Sequence, residues 1–165
     1  MGLKMDTSSD NERSLPEPHA DTGPAVSVVV PAFNEAENIP LLYRRLAEVL
    51  PQTASRSWEV IFADDGSRDT TWSVICALAA EDPHVRGVRL SRNFGHQYAL
   101  LAGLEAADGD AVIMMDCDLQ HPVEMIPMLI EQWRGGFKVV KTVRQDDCQI
   151  GWFKRWTSRS FYRLF

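Results

Sequence analysis

The sequence predicts an α/β domain of the doubly wound type, a mostly parallel sheet with helices on both faces. Two observations carry that expectation. Short apolar, β-branched runs alternate with longer segments of helical periodicity along most of the chain. Strongly polar residues then recur just after each run, where an open parallel sheet places its binding crevice. Strand and helix alternating at this spacing imply right-handed crossovers.

In order along the chain, Val26 to Val30 forms a run fit for a buried strand, and Pro31 is expected to end it. "EAENIPLLYRRLAEVL" sets Ile39, Leu42, Leu46 and Leu50 at helical spacing, with Asn34 as candidate cap and Pro51 as the stop. Val60 to Ala63 reads as the second strand, followed by Asp64, Asp65 and Gly66. "DTTWSVICALAAE" is the second helix, capped by Ser67 or Asp69. "VRGVRLSRNFG" holds the third strand, and "HQYALLAGLEAA" the third helix with Asn93 as its expected cap. "DAVIMMDCD" is the fourth strand, "PVEMIPMLIEQW" the fourth helix, and "KVVKTVR" a fifth strand.

With 165 residues, 45% hydrophobic and 24% charged, the chain has room for one domain with a sizeable core. A net charge of -6 argues against a general nucleic-acid binder. Residues 1–24 are expected to be a disordered acidic tail: Asp6, Asp10, Glu12, Glu17 and Asp21 stand against Lys4 and Arg13, with almost no periodic apolar residues. The tail lacks the apolar stretch of a secretory signal, and no run approaches the roughly 18 apolar residues of a spanning helix. Cys76, Cys117 and Cys148 form neither a CxxC pair nor an even set, which fits a reducing compartment. The folded domain is expected over 25–146.

One stretch carries most of the chemistry. "IMMDCDLQHP" climbs through core residues and then places Asp116 and Asp118 two apart. On a strand those side chains point the same way, and Cys117 points away from them as a small core residue. Such a pair repels itself unless a cation or proton offsets the charge. Oxygen donors suit a hard ion, Mg²⁺ or Mn²⁺, which would in turn hold a substrate diphosphate. Gln120 could complete the coordination or orient a water. No GxGxxG follows the first strand, and no GxxxxGK[ST] or Gly-x-Ser-x-Gly occurs, so dinucleotide, P-loop and elbow-serine chemistry find no support.

"VVVPAFNEAENI", "ADDGSRDTT", "SRNFGHQYALLAGLEAADGD" and "MDCDLQHPVEMIP", in this order, resemble the family 2 inverting glycosyltransferases of the GT-A fold. The resemblance is to the branch that moves a sugar from a nucleotide donor to a polyisoprenyl phosphate, including bactoprenol glucosyltransferases and dolichyl-phosphate mannose synthases. It implies that Pro31, Phe33 and Glu35 hold base and ribose, with Asp65 and the backbone of Ala63 beside the base. It implies too that Asp116 and Asp118 form a DxD metal site with Gln120 beside it, and that Arg144 meets the diphosphate. An arginine fork suits that task. The donor implied is UDP-glucose or, as alternative, GDP-mannose. An acceptor phosphate monoester is already anionic, so attack with inversion needs no general base. His96 is either structural or on the acceptor side.

Residues 147–165 break the strand–helix pattern. Lys154, Arg155, Arg159 and Arg163 and six aromatics follow Trp152 inclusive, with no acid after Asp147. Two readings stand: residues 152–165 lie on an anionic membrane surface, or they pack as an amphipathic helix on their own domain. The resemblance favours the cytoplasmic face of a membrane. Relatives of this branch carry another Arg and a Glu-Ser pair where this chain has Asp147, Ile150 and Gly151, and they continue further, so the chain reads as an amino-terminal piece. Two rivals remain at this point. One is a catalytically incomplete nucleotide-sugar-binding fragment. The other is a receiver-like Mg²⁺-binding signalling domain, whose acids should converge from strands one and three.

Overall fold

The computed structural model describes residues 26–54 and 57–142. The expected acidic tail, the segment 147–165 and Arg144 lie outside the described residues. Within them, β1 (Val26–Ala32), β2 (Trp58–Asp64), β3 (Val85–Arg89) and β4 (Ala111–Met114) form one parallel sheet in the order β3-β2-β1-β4. The crossovers contain α1 (Asn38–Thr53), α2 (Thr71–Glu81) and α3 (His96–Glu105). After β4, a 3₁₀ turn at Val123–Met125 leads into α4 (Ile126–Arg134).

Burial explains which runs became central. Every residue of β1 and β2 is buried, as expected for strands covered on both faces, and their sequences read as near-continuous apolar runs. Val28 pairs with Val60, and Val30 with Phe62. Two glycines show the helix layers. A Cβ on Gly87 of β3 would lie 2.7 Å from Cγ2 of Ile75 in α2. One on Gly103 of α3 would lie 2.4 Å from Cγ1 of Val29 in β1 and 3.4 Å from the Ala63 Cβ in β2. Gly87 is in register with Phe62, whose neighbour Ala63 points the opposite way, so α2 and α3 cover opposite faces. The expected doubly wound architecture is present.

The foot of the sheet, opposite the strands' carboxyl ends, is tied by a buried polar network. Ser27 Oγ donates to Glu59 Oε1 at 2.6 Å, and the Gly109 N–H donates to Ser27 Oγ at 2.8 Å. Arg86 reaches both Glu59 (2.8 Å) and Asp108 (2.6 Å), and the Glu59 hydrogen bond leads the causes that raise its pKa. Every oxygen of the buried Glu59 thus finds a donor, which is what allows a carboxylate there.

Several element boundaries differ from expectation. Pro31 lies inside β1 rather than ending it. Alternation turns its missing N–H to the side of β4, which pairs only with Val26 to Val29, so no ladder bond is lost. Helix α1 starts at Asn38 and runs past Pro51 to Thr53. Asn34 does not cap it; the Glu35 carbonyl accepts the Asn38 and Ile39 N–H groups instead. Ser67 and Asn93 cap no helix, whereas Asp69 accepts the N–H of Thr71, the first residue of α2, at 3.0 Å. β4 stops at Met114, short of the two aspartates. No strand occurs over residues 138–142, where a fifth was expected; a β-branched run becomes a strand only where another strand takes its backbone hydrogen bonds, and Val139 there is 85% exposed.

The chain divides into two compact units after Glu131. The sheet and α1 to α3 belong to the first. In the second, α4 ends where the Gly136 N–H meets the Trp133 carbonyl at 2.9 Å, with Gly136 at φ 98°.

Candidate active site

The strands' carboxyl ends open onto a cleft of about 370 Å³, built by four loops. From the end of β1 come Pro31, Ala32, Phe33 and Glu35; from β2, Asp65; from the β3–α3 turn and α3, Asn93, Gly95, His96 and Ala99; and after β4, Asp116, Cys117 and Asp118. The chain winds outward from β1 to β3 and returns on the other side to β4. The cleft therefore sits at the topological switch point between β1 and β4, where open α/β sheets bind ligands.

The loops are stitched to one another by side chains. Asn34, at φ 59°, donates its N–H to Ser67 Oγ at 2.9 Å and accepts the Arg68 N–H on Oδ1 at 3.0 Å. The Glu35 N–H donates to Thr71 Oγ1 at 2.8 Å. Asp64 is fully buried; its Oδ1 accepts the Ser67 N–H at 2.9 Å. Its Oδ2 lacks a well-directed hydrogen bond but faces Arg89 Nε at 3.2 Å, so an ion pair compensates the charge. Asp65 is 3% exposed, and its two oxygens accept the N–H groups of Phe94 (2.8 Å) and Gly95 (2.9 Å).

The acids of the DxD stretch reach the same cleft by a route other than strand alternation. The ladder ends with the Met115 N–H donating to the Val29 carbonyl at 3.1 Å, and the chain then turns, with Leu119 at φ 60°. Asp118 Oδ1 accepts the Gln120 N–H at 3.0 Å. Asp116 is half-exposed and flanked by His96 Nε2 at 3.7 Å and His121 Nδ1 at 3.9 Å, charge-pair rather than hydrogen-bond distances. Because a turn replaces the strand here, Cys117 does not point away: it is 3% exposed yet lines the cleft. Burial, followed by the charges of Glu35, Asp118 and Asp116, pushes its thiol up to about 12.

Of the residues singled out from sequence, Pro31, Phe33, Glu35, Asp65, Asp116 and Asp118 are brought together at the cleft. Ala63 is fully buried beneath it and does not line it, and neither does Gln120. Arg144 lies outside the described residues. Three participants went unassigned: His121, Gly95 and the Cys117 side of the wall. The signal for His121 was its place three residues after Asp118, where a turn could return it to the acids.

Glycosyl transferase family 2 is the family whose model matches this chain, over residues 27–165. The chain belongs to that family. This family 2 glycosyltransferase chain is 47% identical over 139 residues to a prophage bactoprenol glucosyl transferase homolog of Escherichia coli, covering 84% of this chain and 45% of the relative. It is 46% identical over 135 residues to an undecaprenyl-phosphate 4-deoxy-4-formamido-L-arabinose transferase of Pseudomonas fluorescens, covering 81% and 39%. Among solved structures it is similar to glucosyl-3-phosphoglycerate synthase of Mycobacterium tuberculosis in complex with Mn²⁺, UDP and glucosyl-3-phosphoglycerate, at TM-score 0.53 and 28% identity, covering 67% of this chain and 40% of that one. The chain spans less than half the length of these curated relatives. Membership in the family sets aside the receiver reading, whose acids would have converged from the first and third strands. No helix among the described residues is long and apolar enough to cross a membrane.

Proposed function

We propose that this chain binds a nucleotide-diphosphate sugar and serves transfer of the sugar, with inversion, to a polyisoprenyl phosphate. The observation that carries this reading is the convergence of Asp116 and Asp118 with Phe33, Glu35 and Asp65 on one cleft at the switch point. The similarity to transferases named for bactoprenol and undecaprenyl phosphate supports the lipid acceptor.

In this reading the nucleoside lies on the β1 side. Phe33 is 39% exposed and offers a ring face for a base, while Pro31 shapes the floor. Glu35 already accepts from Asn38 Nδ2 at 2.6 Å through one oxygen, which fixes the carboxylate and leaves the other for a ribose hydroxyl. The diphosphate then falls toward Asp116 and Asp118. Among the described residues no three His, Cys, Asp or Glu side chains gather closely enough to hold an ion unaided. Two carboxylates alone fit Mg²⁺ or Mn²⁺, which commonly leave further positions to substrate phosphates, so the donor set present suits such an ion with the nucleotide bound. When bound, it would neutralise the departing diphosphate.

The chain's own contribution is placement. His96, at the first turn of α3, faces Asp116 across the cleft on the side left for the acceptor. An acceptor phosphate carries its own negative charge and attacks the anomeric carbon without a protein base, so the described cleft need supply none. Arg144 is assigned to the diphosphate and residues 152–165 to the membrane surface, at the cytoplasmic face. The donor assigned is UDP-glucose, with GDP-mannose the alternative.

A thermal-shift panel of UDP- and GDP-sugars with and without Mn²⁺ tests the reading. One nucleotide class is expected to stabilise the protein in a metal-dependent way, and Asp118→Asn to abolish the shift. Equal shifts in the substituted protein would refute the metal role. Binding without transfer to a polyprenyl phosphate would favour a nucleotide-sugar-binding chain that needs further sequence for turnover, a reading suggested by its share of the relatives' length.

A further inference from the structure

Asp65, expected from sequence to touch the nucleotide base, has its carboxylate engaged elsewhere. Its Oδ1 accepts the Phe94 N–H and its Oδ2 the Gly95 N–H, in a position 3% exposed. Its own N–H donates to the Ala32 carbonyl at 2.8 Å, so the residue joins the ends of three loops. Gly66, at φ 66°, allows the approach: a Cβ there would lie 2.4 Å from the Arg92 carbonyl carbon.

The residue held by that clamp starts α3. Gly95, at φ 102°, gives its N–H to Asp65 and accepts the Tyr98 and Ala99 N–H groups on its carbonyl at 2.9 and 3.3 Å. His96 follows directly and stands 3.7 Å from Asp116. Resting on the nucleotide-site reading above, we propose that Asp65 is a positioning residue: it fastens the β3–α3 turn and thereby sets the α3 wall of the cleft, with His96 opposite Asp116. Nucleotide affinity then depends on Asp65 through a wall formed in advance of binding, rather than through contact with the base.

The test uses the whole chain. In ligand-free protein, Asp65→Asn presents an amide donor to one of the two N–H groups. Hydrogen exchange at Phe94 and Gly95 is expected to quicken by about tenfold or more, while Val60, whose N–H bonds the His84 carbonyl in the sheet, stays as slow as before. Gly95→Ala leaves Asp65 intact but disfavours the turn's positive φ, and a Cβ there meets nothing within 4 Å. In titrations with UDP or GDP plus Mn²⁺, it is expected to reproduce the affinity loss of Asp65→Asn.

Unchanged exchange at Phe94 and Gly95 in Asp65→Asn would overturn the proposal. So would full nucleotide affinity in Gly95→Ala beside a loss in Asp65→Asn, which would mark direct base contact. If Asp65→Asn opens the whole sheet, Gly95→Ala decides alone. Failure of the unsubstituted protein to bind either nucleotide would count against the nucleotide reading, and the exchange measurement would still decide whether Asp65 holds the turn.

Discussion

Asn34 and Ser67 lock the first two loops of the cleft together: the Asn34 N–H donates to Ser67 Oγ at 2.9 Å, and Asn34 Oδ1 takes the neighbouring Arg68 N–H at 3.0 Å. Asn34 holds φ 59°, a conformation that asparagine tolerates better than most residues. Both loops must keep this registry for Phe33, Glu35 and Asp65 to face one space.

Replacing Asn34 by Ala removes the side-chain acceptor and leaves a β-carbon residue at positive φ. The expected cost is about 1–3 kcal/mol in urea unfolding, with Asn34→Gly milder because the backbone strain disappears. Equal costs for the two would show that the hydrogen bond alone matters.

Gly103 is the contact point of α3 with the sheet. A methyl group there would meet Val29 Cγ1 at 2.4 Å, so Gly103→Ala should destabilise by about 1–3 kcal/mol despite alanine's better helix propensity. Adding Val29→Ala removes the obstructing atom, and the double substitution should cost less than the sum of the two single ones. Strict additivity in denaturation experiments would contradict the assigned contact.

The stability–pH profile should bend at both ends. Asp82 is held below the usual carboxylate range: burial opposes this, but hydrogen bonds from Tyr43 and His84 outweigh it. A depressed folded pKa gives stability that is present above the unfolded value, near 3.8, and lost as pH falls through the folded one. Tyr43 shows the opposite sign: burial first, then Asp82, raises its phenol above 10.0, so its contribution is full below that pH and is lost on going more alkaline. Tyr43→Phe should flatten the alkaline limb and cost about 1–2 kcal/mol at neutral pH, read by thermal unfolding across pH.

Cys117 should be nearly inert. A thiol raised to about 12 from 9.0 holds roughly a thousandfold less thiolate at pH 8 than an unperturbed one. Iodoacetamide followed by peptide mass spectrometry should modify the exposed Cys76 long before Cys117. Comparable rates at the two positions would show that the cleft is more open and less anionic than its lining residues imply.

Much of the cleft was legible because its chemistry is concentrated in short polar stretches that follow apolar runs. Asp116 and Asp118 could be placed together from two-residue spacing, although the strand expected to hold them ends at Met114. What defeated the finer reading was competition for the same groups. Asn34, Ser67 and Asn93 have the side chains of helix caps, but Asn34 and Ser67 hydrogen-bond between loops, and Asn93 lines the cleft. Which partner wins depends on residues more than thirty positions away, and local preference carries no such information.

By itself, the sequence determined the alternation of buried strands and helices, the outward and returning winding of a parallel sheet, and the gathering of acids at its carboxyl edge. These follow from periodicity and from the limited ways a twisted sheet can be covered. Only the tertiary structure decided that Asp65 spends both oxygens on the turn before α3, that Cys117 joins the cleft wall, and that His96 and His121 flank Asp116. Those outcomes rest on hydrogen bonds and charge contacts between loops distant in sequence, whose geometry exists only once the sheet has brought their ends together.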